Sequence, residues 1–222
     1  MYNDLMPARF YEIRICHSCG LRYPLVEQHP FGTRCPACMG ETRVVLRRSL
    51  SFETRAWNAE KVESRKTVAI LLDNIRSGWN VGSILRSADG FGFSHVYVCG
   101  ITPTPDNEAV TKTSLGAEDS VPWSYHKDAV RLVKGLKAEG WSVYALEEDA
   151  RAREIRHTDS IKLNGPGAVL IVGNEVTGID PDLLDLCDQI FYIPMRGEKK
   201  SFNVAIAFGI AAYALSSQQV DT

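Results

Sequence analysis

Val68-Ala-Ile-Leu-Leu72-Asp-Asn-Ile-Arg-Ser-Gly-Trp-Asn80-Val-Gly-Ser-Ile-Leu-Arg86-Ser-Ala-Asp-Gly-Phe-Gly92 opens on five apolar residues in a row and then changes period. An unbroken apolar run of that length is what a strand buried on both faces presents, as parallel strands are. After a polar loop, Val81, Ile84, Leu85 and Ala88 recur at helical spacing, which predicts a helix over 81–90 with Asn80 at its N-cap. The alternation continues downstream. Strands are predicted at His95–Cys99, Ser142–Leu146, Ala168–Val172 and Ile190–Ile193, the last ended by Pro194. An amphipathic helix is predicted over Lys127–Glu139, with Gly140 as its C′ residue, and an Ala- and Ile-rich helix from about Asn203 to Ser216. Such alternation predicts an α/β domain with a mainly parallel sheet over residues 67–222.

Upstream the pattern is different. Residues 1–48 read as short β-like pieces with Pro/Gly turns and paired cysteines, and 49–66 as a polar linker or connecting helix with Phe52 and Trp57 as its aromatics. Of six cysteines, Cys16-x2-Cys19 and Cys35-x2-Cys38 are separated by 15 residues. Two such turns can each bring two thiolates to one ion, and four complete a tetrahedral zinc site with no open position, a structural role. Gly20 and Gly40, just past the pairs, suit a tight knuckle. Two disulfides or an iron–sulfur site are the rival readings. His17 and His29 read as surface residues. A module this small has little core, so the metal is expected to supply most of its folding energy. Cys99 and Cys187 read as small buried hydrophobes.

Charge divides along the same line. Residues 1–66 carry 11 Lys or Arg against 7 Asp or Glu; residues 67–222 carry 14 against 20. Arg14, Arg22, Arg34, Arg43, Arg47 and Arg48 make the front module a candidate surface for phosphate. No apolar run approaches the roughly 20 residues that span a bilayer, and the first residues lack a signal-peptide pattern, which predicts a cytoplasmic protein without a membrane partner.

Three segments carry candidate chemistry. The first leaves a strand through Asn80 and reaches Arg86 on a helix. The second, Gly173-Asn174-Glu175-Val-Thr-Gly178, follows a buried strand, with Asp180 as the N-cap of a helix that has Pro181 at N1. The third, Ile193-Pro-Met195-Arg-Gly197-Glu-Lys-Lys-Ser201-Phe202-Asn203-Val, puts two polar residues at the mouth of a nearly all-apolar helix expected to be buried on most sides. Capping accounts for one of those two polar residues.

In this order, the segments resemble the motifs of the SpoU (TrmH-like) family of RNA ribose methyltransferases within the SPOUT superfamily. The resemblance covers residues 67–217 and includes Lys112-Thr-Ser-Leu-Gly116-Ala as a family loop; Ala205 departs from it, where many members carry a serine. It implies a C-terminal trefoil knot, a homodimer with sites at the subunit interface, S-adenosylmethionine as cofactor, and a ribose 2′-hydroxyl in transfer or ribosomal RNA as the methyl acceptor. It implies cofactor contacts at Gly173, Gly178, Ile193, Met195 and Phe202, and catalytic roles for Arg86, Glu175, Asn80, Ser201 and Asn203. Guanidinium chemistry favours Arg86 as a phosphate ligand or oxyanion stabiliser over a general base, with Glu175 orienting groups or helping to take the proton. An inactive RNA-binding relative and an RNA base methyltransferase remain the alternatives. The resemblance says nothing of the cysteine module.

Overall fold

The computed structural model describes residues 10–27, 29, 32–50, 67–156 and 165–216. Two units separate, one over the first 62 residues and one over the remainder. Most of the expected linker, 51–66, lies outside the described residues, as do Phe52 and Trp57.

In the first unit β1 (Phe10–Cys16), β2 (Arg22–Val26) and β3 (Thr42–Ser49) form an antiparallel sheet in the order β2-β1-β3. The buried side of β1 carries Glu12, Arg14 and Cys16, while Tyr11, Ile13 and Ile15 on the other side are half-buried. Glu12 bonds to both Arg14 and Arg47, Arg14 Nε donates to Thr42 Oγ1 at 2.8 Å, and Arg47 lies 4.3 Å over the Phe10 ring. Both arginines therefore meet an internal carboxylate, Arg14 buried and Arg47 with its side chain largely exposed. The sequence reading placed them among phosphate contacts because spacing does not reveal which arginines meet an internal carboxylate.

In the second unit the elements run β4 (Thr67–Asp73), α1 (Gly78–Phe91), β5 (His95–Cys99), α2 (Glu108–Ser114), α3 (Ala117–Ser120), β6 (Trp123–His126), α4 (Ala129–Ala138) and β7 (Ser142–Leu146). They continue with β8 (Arg153–Glu154), β9 (Gly167–Val172), α5 (Pro181–Leu184), β10 (Gln189–Tyr192) and α6 (Val204–Ser216). The seven strands pair in parallel in the order β6-β5-β4-β9-β7-β10-β8, so β10 lies between two strands that precede it in the chain.

Both faces of the sheet are covered, which is why β4 and β9 read as continuous apolar runs. Ile70, Leu72, Leu170 and Val172 pack with Ile84 and Leu85 of α1 and Phe208, Ala211 and Ala212 of α6. Ala69, Leu71, Val169 and Ile171 pack with Val133 and Leu136 of α4 and Leu183 of α5. Cys99 is buried here, and Cys187 is part-buried, its thiol donating to the Leu183 carbonyl at 3.2 Å. Burial pushes both thiols up to about 12.

Three expectations change. Helix α1 begins at Gly78 with Ser77 as its N-cap, so Asn80 sits inside the first turn and its side chain is released from capping. Apolar periodicity located the helix but not its first turn, where Gly78 and Trp79 carry no period. Lys112–Ala117 is the end of α2 and the start of α3, joined by left-handed Leu115 and Gly116, and not a loop. Helix α6 buries Phe208, Ala211, Ala212 and Leu215 but exposes Ile206, Ile210 and Tyr213, a stripe along one side. Among the described residues no helix is long and apolar enough to cross a membrane.

Candidate active site and metal centre

The loops after β4, β9 and β10 leave the sheet at the carboxyl ends of parallel strands, where α/β folds gather ligands. Because β4 and β9 are neighbours, their loops lock together. Asn174 Nδ2 donates to the Asn74 carbonyl at 2.7 Å, and the Asp180 N–H donates to Asp73 at 3.0 Å. Burial, opposed by that N–H, pushes the Asp73 carboxyl above its ordinary range. Gly173 permits a backbone–backbone approach, since a Cβ there would lie 2.4 Å from the Ile179 nitrogen. Gly178 has φ +73°, and a Cβ on it would lie 2.6 Å from Glu147 Oε2.

A chain of hydrogen bonds joins the three motif segments. Asn203 Oδ1 accepts from the Ala205 N–H at 2.9 Å, capping α6, while its Nδ2 donates to Asn80 Oδ1 at 2.9 Å. Asn80 Nδ2 in turn donates to Glu175 Oε1 at 2.8 Å. Glu175 also accepts from the backbone N–H groups of Arg76 at 2.9 Å and Ser77 at 3.2 Å, at the positive end of α1. Partial burial opposes its charge, but these donors prevail and hold Glu175 below the ordinary carboxylate range. A carboxylate so occupied is an orienting group and a poor proton acceptor.

Arg86 is exposed on α1, six residues or about 9 Å of helix rise beyond Asn80 and about 120° around the axis from it. It takes no part in the hydrogen-bonded chain and has no ion pair among the described residues. Ser201, exposed, stands beside Asn203 and lines a cavity of about 280 Å³. Ile193, Met195 and Phe202 line the same cavity, with Leu146, Glu147, Glu148, Tyr192, Lys200 and Ala207. Gly173 and Gly178 shape the adjoining loop without lining it. Sequence reasoning missed Glu147 and Glu148, although two carboxylates directly after a buried strand are a legible signal in a parallel sheet.

In the first unit the sulfurs of Cys16, Cys19, Cys35 and Cys38 all lie within 4.8 Å of one another. Cys16 Sγ is 3.5 Å from Cys38 Sγ, and Cys19 Sγ is 3.6 Å from Cys35 Sγ. Zn–S bonds of about 2.3 Å give tetrahedron edges of roughly 3.8 Å, so the four thiols fit that ion. The N–H groups of Cys19 and Ser18 point at Cys16 Sγ and bring its thiol down to about 6, against the effect of burial.

Residues 67–213 match the SpoU rRNA Methylase family. A 23S rRNA (guanosine(2553)-2′-O)-methyltransferase of Bacillus subtilis is 33% identical over 158 residues, 70% of this chain and 60% of the relative. A tRNA (guanosine(18)-2′-O)-methyltransferase of Thermus thermophilus is 31% identical over 76% of this chain and 84% of its own length. An rRNA methyltransferase of Sinorhizobium meliloti, solved with S-adenosylmethionine bound, superposes with a TM-score of 0.63 at 26% identity, over 70% of this chain and 57% of that one. The chain thus spans about three-fifths of the Bacillus subtilis relative. With its three motif segments tied together at one end of a parallel sheet, the chain belongs to the SpoU rRNA Methylase family.

Proposed function

We propose that this chain transfers a methyl group from S-adenosylmethionine to a ribose 2′-hydroxyl of transfer or ribosomal RNA, in the cytoplasm and as a homodimer. The observation that carries this reading is the chain Asn203–Asn80–Glu175, which joins the three motif segments beside the cavity. S-adenosylmethionine, when bound, supplies a methyl group on a sulfonium, already a good leaving group. The protein's task is to hold the two reactants in line and stabilise charge on the acceptor oxygen.

Ile193, Met195 and Phe202 give the cavity apolar walls, and Glu147, Glu148 and Ser201 give it polar groups for hydroxyls and an ammonium. Gly173 and Gly178 set the shape of its neighbouring loop. Asn80 and Asn203 are held as polar positioning groups, and Glu175 fixes Asn80. Arg86 offers a solvent-facing guanidinium to substrate phosphate or to the developing oxyanion. Support for the dimer comes from the exposed Ile206, Ile210 and Tyr213 on α6, an apolar stripe that a second copy would cover. The position of β10 between β7 and β8 supports a knotted C-terminal segment. The spacing of the four thiols supports a zinc ion with a structural role, and a basic front unit supports RNA as partner.

The test is nucleotide-resolution mapping of 2′-O-methylation in cellular RNA with and without this protein. One position is expected to lose its methyl group, and Arg86→Ala to fail to restore it. An unchanged methylation map, or a methyl group found on a base in place of the ribose, overturns the reading.

A further inference from the structure

One face of the first unit's sheet carries a run of arginines, and its charge names a partner. The register puts Arg22 of β2 and Arg43 of β3 on either side of Ile15, and Val26 and Arg48 on either side of Tyr11. Paired residues of antiparallel strands point to the same side. Tyr11, Ile13, Ile15, Arg22, Arg43 and Arg48 therefore share one face, opposite the face that holds Glu12, Arg14 and Cys16. The three arginines are exposed. Unlike Arg14, Arg34 and Arg47, which meet carboxylates, they have no ion pair among the described residues.

None of the strand positions on this face is Asp or Glu. Neighbouring strands are about 4.8 Å apart, so Arg22 and Arg43 stand roughly 10 Å apart, with Arg48 about 13 Å further along the sheet. Three unpaired guanidiniums spread over such a distance, with a half-buried tyrosine ring among them, match a phosphate chain whose bases can stack. A second copy of the same face would bring like charges together. Residues 67–222, with 14 cationic against 20 acidic side chains, give the catalytic unit no comparable excess of positive charge.

We propose that this face of the cysteine module, through Arg22, Arg43, Arg48 and Tyr11, is a docking surface for single-stranded RNA that holds the substrate for the catalytic unit. The proposal rests on the RNA methyltransferase reading and adds to it the surface that grips the RNA.

The test measures binding of fluorescent oligouridine to the full chain across a salt series, for wild type and the triple variant Arg22→Gln/Arg43→Gln/Arg48→Gln. Binding is expected to weaken on the order of 10- to 100-fold, and the slope of log affinity against log salt to fall by about 2 for three lost phosphate contacts. The matching Arg→Lys triple variant is expected to keep the slope. Zinc content and S-adenosylmethionine affinity are expected to stay at wild-type values, which separates lost contacts from lost folding. Undiminished RNA binding by the Gln variant, in a protein that still methylates RNA, overturns this inference alone. A Gln variant that keeps its RNA affinity but sediments as a smaller assembly overturns it in favour of a protein interface. A wild type that neither binds nor methylates RNA sinks the functional reading beneath it as well.

Discussion

Asn80 has one amide and two partners, and the chemistry of the amide decides what can replace it. Its oxygen accepts from Asn203 and its nitrogen donates to Glu175, so only a side chain with a donor and an acceptor at the same reach completes the chain. Asn80→Asp keeps the size but sets a second carboxylate against Glu175. The expected cost is about 1–3 kcal/mol of stability, together with methyl transfer lowered by one to two orders of magnitude, read by thermal melting and a radiolabelled methyl-transfer assay. Glu175 adds a pH dependence of definite sign. Its folded pKa lies below the ordinary 4.5, so its contribution is fully present above that value and is lost as pH falls through the lower, folded one. Melting of the wild type is expected to decline below about pH 4.5 more steeply than that of Glu175→Gln; parallel curves would contradict it. The sequence named Asn80, Glu175 and Asn203 as one site. It did not reveal that Glu175 is occupied by backbone N–H groups, because no side-chain pattern records which way an N–H points.

Packing of α1 on α2 shows how an element can constrain a motif residue. Gly82 belongs to the first motif segment, yet its surroundings explain it without any ligand. A Cβ there would lie 2.0 Å from Thr113 Oγ1 and 2.3 Å from the Val110 carbonyl. Gly82→Ala must therefore force the two helices apart, and the expected loss is about 3 kcal/mol, seen as a lower denaturation midpoint. Gly90→Ala on the same helix, with open space around its Cβ, is expected to cost nothing or to stabilise slightly. Strands β4, β7 and β9 were legible because burial on both faces leaves apolar runs, and β5 and β10 because β-branched and aromatic residues dominate them. The exceptions have a common cause. Helices α2 and α3 and strands β6 and β8 are short and carry mixed polarity, so their structure comes from neighbours more than from local pattern.

At the scale of the whole chain, the two units rest on different sources of stability. The second has a two-layered apolar core. The first buries Glu12 and Arg14 where a core would be, and the zinc proposed at its four thiols would supply what that core does not. Chelation is expected to unfold the first unit alone. Cys16, Cys19, Cys35 and Cys38 would then alkylate within minutes, while Cys99 and Cys187, their thiols pushed up to about 12, stay protected until the second unit melts. Mass spectrometry of alkylated peptides checks this, and simultaneous labelling of all six would refute it. This division was half visible in the sequence: cysteine spacing announced the module, but nothing in its composition announced a charged interior.

Asn203 also makes the site a thermodynamic relay. The residue that starts α6 holds the Asn80 amide, and the three residues before it form part of the cavity wall. A molecule that settles against Lys200–Phe202 therefore restrains the anchor of Asn80, so occupancy of the cavity and order at Asn80 are linked quantities. Linkage is reciprocal: any second ligand that tightens Asn80 must raise the affinity of the cavity for its own ligand by the same factor.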